Sequence, residues 1–419
     1  MKASYEKTNK QNLHILFITE NFPPETNASA ARVYERACYW VKWGHDVTII
    51  TCTPNFPEGE VYPGYTNRWY QTETMDGLRI VRVKTFMAAN KGTVRRTLDF
   101  LSFMISSTIA GLFERRPDVI VATSPQFFAA VGGWILGAIR RIPFVFELGD
   151  LWPASIVAVG AMRPNLGIRL LEKLELFLYR HSVAVVALTN AFKSNLVKRG
   201  INKNKISVII NGVDAWRYGP RAADPALLTQ TSLHEKFVVG YVGTHGMAHA
   251  LNNVLDAAEI LRKSEEISFL FAGGGADRDN LINDARSRAL TNLVFLDRQP
   301  KEKMPAVWSL CSVALVHLRN SEVFRDVIPS KMFEAMAMGL PILLAAPEGE
   351  ASEILRQNNA GLHVPPEMPS ALADAIQCLS SDSALYTKFA SNSLAAGAIH
   401  SRESQAHEML KVLEKSARG

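Results

Sequence analysis

The sequence predicts an α/β protein built from two open parallel sheets in tandem, and three observations carry that expectation. Short apolar runs alternate with helical stretches, the pattern of repeated β-loop-α units. The alternation lapses in an irregular polar stretch at 215–234 and then starts again. The chain, with 419 residues and 47% hydrophobic side chains, is long enough for two or three full cores.

Residues 13–19 (L-H-I-L-F-I-T) read as a buried parallel strand. A loop with Pro23, Pro24 and Asn27 follows at 20–29, then a helix at 30–42, a stop at Gly44 and a strand at 46–52. The first loop lacks G-x-G-x-x-G, which argues against a dinucleotide fingerprint. Residues 53–65 form a loop rich in Pro, Gly and aromatics, of a length that is usually functional. Strands at 78–84, 118–122, 143–147 and 183–188 alternate with helices at 93–113, 127–140 and 165–180. A helix at 189–198 and a strand at 206–210 lead to the N-G-V-D turn at 211–214, so the domain junction falls near 190–215. The expected domains are 1–200 and 201–395, with a tail at 396–419 whose helix, 402–418, packs back on the first. The second series has strands at 237–242, 267–272, 292–296, 313–318 and 342–346, a helix at 251–262, and Gly273-Gly274-Gly275. Open sheets bind ligands at the carboxyl ends of their strands. Two facing sheets would bring the loops 20–31, 147–153, 243–246, 273–275 and 317–330 to one cleft.

Four scattered cysteines form no C-x-x-C pair and read as buried free thiols of a reducing compartment. Residues 1–11 are polar and precede a strand, unlike a signal peptide. Residues 1–200 hold 24 Lys and Arg against 16 Asp and Glu, so the basic excess lies in the first half. The pairs Arg95-Arg96, Arg115-Arg116 and Arg140-Arg141 flank two apolar segments shorter than the ~20 residues of a membrane span. Apolar helices with basic flanks suit peripheral contact with an anionic membrane face, or are core helices with solvated ends. No aromatic-interleaved basic stripe points to nucleic acid.

The stretch 326–341, D-V-I-P-S-K-M-F-E-A-M-A-M-G-L-P, concentrates the chemistry. Pro329 and Ser330 start an apolar helix, with Ser330 as expected N-cap, and Gly339 ends it. A helix start favours an anion, and Lys331 adds a full charge. Glu334 lies inside the apolar run, where a carboxylate is expensive unless something binds it. It is a ligand group or the cap of a neighbouring loop.

Taken in order, E-N-F-P-P-E, G-H-D-V-T-I-I-T, N-G-V-D, G-Y-V-G-T, F-A-G-G-G and the 326–341 stretch resemble the GT-B-fold, retaining glycosyltransferase family 4 of bacterial polysaccharide synthesis. The resemblance spans nearly the whole chain. P-N-F-P-E-G-x-x-Y-x-G-Y, D-L-W-P and P-S-K are similar to a subgroup that includes N-acetyl-fucosamine transferases of O-antigen and capsule synthesis. The resemblance implies two Rossmann-like domains facing across a cleft. It further implies a UDP-sugar donor, an N-acetylated amino sugar such as N-acetyl-L-fucosamine, and a lipid-linked saccharide acceptor. The expected place is cytoplasmic, peripheral on the inner face of the cell membrane.

By the same resemblance Glu334 takes the donor ribose, and Ser330 and Lys331 meet the diphosphate. The family's first glutamate is here Asp326, one methylene shorter. Where many members carry Arg and Lys, Thr244 and His249 stand, which leaves the diphosphate to Lys331, with Arg298, Arg325 and His245 as further candidates. Gly243 and Gly274 permit close backbone approach. In the amino domain many members place His before Asp, whereas here Gly149 precedes Asp150. Asp150 is the candidate for the acceptor hydroxyl or donor sugar, or else a helix N-cap. Asn27 and Ser29 replace a Gly-Gly pair, and Glu25 and Arg32 are candidates to bracket the acceptor. No D-x-D motif follows a strand, so no cofactor and no metal are expected. Leaving-group-assisted, same-face attack is the expected chemistry. A nucleotide-sugar 2-epimerase of the same fold, a phosphorylase and a non-catalytic nucleotide-sugar-binding partner are the alternatives.

Overall fold

The computed structural model describes residues 12–25, 27–56, 58–88, 93–124, 127–152, 165–214 and 216–418. The chain divides into two compact units, Met1–Ile210 with Gln405–Gly419, and Asn211–Ser404.

Unit 1 runs β1 (His14–Ile18), α1 (Ala28–Lys42), β2 (Asp46–Cys52), β3 (Tyr70–Met75), β4 (Leu78–Val83), α2 (Thr93–Phe113), β5 (Val119–Thr123), α3 (Phe127–Arg140), β6 (Phe144–Leu148), α4 (Leu166–His181), β7 (Ala184–Ala187), α5 (Asn190–Lys198) and β8 (Ile206–Val208). Among the described residues these make an eight-stranded sheet in the order β3-β4-β2-β1-β5-β6-β7-β8. β1, β5 and β6 are buried at every position, as central strands covered on both faces must be. β3 departs from the expected all-parallel sheet, because it pairs antiparallel with β4. Its residues, Y-Q-T-E-T-M, carry no apolar alternation and half face solvent. What makes it a strand is the Asp76-Gly77 turn, both residues at positive φ, which folds it onto β4.

Unit 2 runs α6 (Pro225–Thr231), β9 (Phe237–Val242), α7 (Asn252–Ile260), β10 (Ile267–Ala272), α8 (Arg278–Ser287), β11 (Leu293–Leu296), α9 (Met304–Trp308), β12 (Val313–His317), α10 (Lys331–Ala337), β13 (Ile342–Ala345), α11 (Glu350–Asn358), β14 (Gly361–Val364), α12 (Pro369–Ser381) and α13 (Ser383–Ile399). The strands pair in parallel in the order β11-β10-β9-β12-β13-β14. α10, the apolar helix singled out in the sequence, packs on α13. A Cβ on Gly397 would come within 2.7 Å of the Ala337 backbone, and Ser393 Oγ donates to the Leu340 carbonyl at 2.6 Å. Gly339, at φ +73°, ends α10.

The last helix, α14 (Arg402–Arg418), contributes to the core of unit 1. Ala406, Met409, Leu410 and Leu413 are buried there with Phe17, Val33 and Trp40, and Trp40 Nε1 donates to the Ala406 carbonyl at 2.9 Å. All four cysteines are free, but only Cys52 and Cys311 are buried, and Cys378 is exposed, which corrects the expectation of four buried thiols. Among the described residues no helix is long and apolar enough to cross a membrane.

Candidate functional site

At the carboxyl edge of the second sheet, the loops after β9 and β10 are laced backbone to backbone. Gly243 N donates to Ala272 O, His245 N to Gly274 O and Asp277 N to His245 O, at 2.9, 2.9 and 3.0 Å. A Cβ on Gly273 would lie 2.0 Å from Gly243 O, and one on Gly275 2.2 Å from His245 O. With both residues at positive φ, only glycine lets the two loops approach this closely.

Lys331, the first residue of α10, reaches under this pair. Its Nζ stands 3.9 Å from the ring centroid of Tyr241 and 3.0 Å from where a Cβ on Gly243 would be. The residue as a whole is half-buried, but Nζ is buried and has no hydrogen-bond partner. Burial pushes this amine down to about 7, against the opposing pull of Glu334. His245 is fully buried with both ring nitrogens unpartnered. Burial, then Arg278, Lys331 and His249, lower it to about 4. His249 and His317 each approach the other's carbonyl through Nδ1, at 3.3 and 2.7 Å. Burial and then Lys331 bring His249 to about 4 as well. The imidazoles are therefore neutral at physiological pH, and Lys331 is the group poised to change charge.

Glu334 is half-buried one turn further along α10, and Trp308 Nε1 donates to its Oε2 at 3.1 Å. Gly243, His245, Gly274 and Lys331 thus come together as the sequence suggested, with Glu334 next to them along the helix. Ser330 differs from expectation. It sits in helical conformation, is exposed and makes no side-chain cap bond. The amides of Met332 and Phe333 bond instead to the carbonyls of Pro329 and Ser330, at 3.1 Å each. Thr244, Arg298 and Asp326 are exposed on their loops.

In unit 1, Glu147, the penultimate residue of β6, is fully buried and held by two arginines of α1. Arg36 Nη2 is hydrogen-bonded to its Oε1, and Arg32 Nε lies 3.5 Å from the same oxygen. Burial pushes Glu147 up, but Arg36 and Arg32 outweigh it and hold the carboxyl below its usual range. Gly149 then passes close to the β5 loop, where a Cβ would lie 2.3 Å from Ser124 O. Ser124 Oγ accepts from the amides of Gly149 and Asp150 at 2.9 and 3.3 Å. Asp150 is half-buried at this carboxyl edge. The turn it would cap, together with Pro153, lies outside the described residues.

The expected acceptor bracket needs correction. Glu25 is buried and accepts from Asn21 Nδ2, Asn55 N and Phe56 N at 2.8, 2.9 and 3.0 Å, so it ties down the 53–65 loop. Arg32 turns inward to Glu147 and to Thr123 Oγ1. Asn27 caps α1 by accepting from Ala30 N at 2.9 Å. Ser29 is half-buried, and its hydroxyl has no hydrogen-bond partner. Glu20, just past β1, and Asp99, on α2, are further buried carboxyls of unit 1, each with one unpartnered oxygen. Burial and then Asp99 push Glu20 well up, and burial brings Asp99 to about 6. Glu20 was legible, since it directly follows an apolar strand. Asp99 was hidden in a helical pattern.

Two open parallel sheets, one carrying a glycine-laced loop pair over a single buried amine, define a two-domain Rossmann-like protein of GT-B architecture. Solved structures agree on the fold. Sucrose-phosphate synthase from Thermosynechococcus elongatus superposes with a TM-score of 0.75 at 18% identity, covering 96% of this chain and 99% of that one. Anabaena HepE, in complex with UDP and glucose, gives 0.70 at 17%, covering 96% and 100%. The family model for glycosyl transferases group 1 matches residues 229–395, and that for the glycosyl transferase 4-like domain matches 27–212. Residues 229–395 are thus a group 1 glycosyltransferase domain and residues 27–212 a glycosyl transferase 4-like domain. The chain is 26% identical over 337 residues to WcaI, a glycosyl transferase ascribed to colanic acid biosynthesis in Escherichia coli K12, covering 78% of this chain and 82% of that one. It is 25% identical over 371 residues to a GDP-mannose-dependent alpha-mannosyltransferase of Mycobacterium tuberculosis, covering 87% of each.

Proposed function

We propose that the protein transfers a sugar from a UDP-sugar to a lipid-linked saccharide acceptor in polysaccharide synthesis, with retention at the anomeric carbon and an N-acetylated amino sugar such as N-acetyl-L-fucosamine as the donor sugar. The observation that carries the donor half is the buried, unpartnered Lys331 amine beneath the Gly243 and Gly273–Gly275 loops. A diphosphate there would supply the missing partner, and Glu334 on the same helix would accept the ribose hydroxyls. Charge develops on the diphosphate as the glycosyl bond breaks, and a fixed cation in a dry site stabilises it. In this reading the amine supplies that cation. Leaving-group-assisted, same-face attack fits, with the diphosphate oxygen taking the acceptor proton and Asp150 near the acceptor hydroxyl. A thermal-shift panel of UDP, GDP and dTDP tests the base, since a ligand that binds only the folded chain raises its melting temperature. UDP is expected to give the largest shift, and a larger shift with GDP would overturn the choice of UDP.

The membrane half rests on α2. Leu98, Ile105, Ile109, Leu112 and Phe113 are exposed at helical spacing, with Arg95 and Arg96 exposed at one end and Arg115 and Arg116 just past the other. Such a stripe suits the surface of an anionic bilayer, on the inner face of the cell membrane. The chain is expected to sediment with phosphatidylglycerol vesicles and not with phosphatidylcholine vesicles. Ile105→Asp with Ile109→Asp is expected to release it, because two charges then face the acyl boundary.

A further inference from the structure

We infer that Trp308 is a positioning residue for the donor's ribose, its indole N–H fixing the Glu334 carboxylate in the orientation that receives the ribose hydroxyls. The inference rests on the reading of Glu334 given above and adds a residue that the sequence does not single out.

Trp308 closes α9, a five-residue helix between β11 and β12, and is fully buried. An indole has one polar hydrogen and no acceptor. That hydrogen goes to Glu334 Oε2 at 3.1 Å, across 26 residues of sequence. The ring alone would fill the core. The nitrogen matters because a buried donor needs a partner, and Glu334 is that partner.

The indole in turn constrains the carboxylate. The last torsion of a glutamate is broad and roughly two-fold, so an unheld carboxylate turns freely about it. Lys331 lies one turn back on the same helix, but its Nζ has no hydrogen-bond partner and rests on the face of Tyr241, so no hydrogen bond from it orients Glu334. The arrangement divides the labour. Lys331 is kept unengaged for an anion, while Glu334 is oriented from the core. A group held in place before the ligand arrives loses less freedom on binding.

The test uses the ratio of affinities for UDP and for 2′,3′-dideoxy-UDP, which keeps base and diphosphate and lacks both ribose hydroxyls. In the unsubstituted chain UDP is expected to bind about 100-fold more tightly, as for two hydrogen bonds to a charged group. Trp308→Phe keeps the ring and removes the N–H. It is expected to cut the ratio by about tenfold, one such bond's worth of orientation, and to leave dideoxy-UDP affinity unchanged. Glu334→Gln replaces two charge-assisted hydrogen bonds by weaker neutral ones and should cut the ratio further, to a few-fold.

A ratio that W308F leaves intact while E334Q collapses it would overturn the role of Trp308 and keep the Glu334 reading. Equal weakening of both ligands by W308F would likewise reduce the indole to packing. A ratio near one in the unsubstituted chain, unmoved by E334Q, would overturn the Glu334 reading itself. Should W308F melt too low for titration, the indole resonances of the unsubstituted chain supply a second measurement. A buried indole N–H that shifts with UDP and stays in place with dideoxy-UDP supports the inference, and one that responds equally to both overturns it.

Discussion

Glu334→Ala should weaken nucleotide binding by about two to three orders of magnitude while the chain stays folded. Two charge-assisted hydrogen bonds to ribose are worth about 3–4 kcal/mol together, or two to three orders of magnitude in affinity. The fold should survive because Glu334 is only half-buried and α10 is anchored by its other face. Met332, Phe333, Ala335 and Met336 are fully buried there. A melting temperature lower by several degrees is still expected, since the truncation strips the Trp308 indole of its acceptor at about 1–3 kcal/mol. Isothermal titration and a melting curve on the same preparation separate the two effects. Unchanged nucleotide affinity in a folded Glu334→Ala chain would remove Glu334 from the donor site.

Donor affinity should fall steeply as pH rises above about 7. The cause is Lys331, whose ammonium burial lowers to about 7 from an ordinary 10.5. The sign follows from linkage. Between those two values the unfolded chain holds a proton that the folded, empty chain does not, so the empty protein gains stability as pH rises through that window. A bound diphosphate reverses the preference by restoring the charge, and binding then takes up a proton. Affinity for a nucleotide sugar should therefore weaken by about tenfold per pH unit above 7, until the pH passes the lysine's value in the complex. A nucleotide sugar is the better probe than UDP, because its diphosphate does not titrate in this range. His245 and His249, both near 4, and His317, also lowered by burial, stay neutral throughout and contribute no slope. Lys331→Met should flatten the profile and weaken binding most at pH 6 to 7. A slope that persists in Lys331→Met would assign the titration elsewhere.

The sequence by itself determined the two-sheet architecture, because buried parallel strands must be apolar along their whole length and such runs are visible as strings. It gave most strand and helix bounds to within one or two residues, and α2 and α3 to the residue. It also picked out Gly243, Gly274, Lys331 and Glu334, since glycines, a lone cation and a carboxylate stand out against apolar surroundings. β3 was not legible, because an edge strand with polar faces is specified by its turn and its neighbour rather than by its own pattern.

What only the tertiary structure decided is which polar groups are engaged. Glu25 and Arg32 look like an acceptor bracket in one dimension, but folding spends the first on the 53–65 loop and the second on Glu147. Glu147 looked like the end of a strand and proved to be the buried acid that turns two arginines inward. Lys331 stood out in the sequence as the cation at a helix start, but only the fold shows that its amine is buried without a partner. Trp308 carried no signal at all until its indole met Glu334. Composition and periodicity report what a residue prefers, but desolvation and pairing depend on neighbours that the chain brings together from far apart.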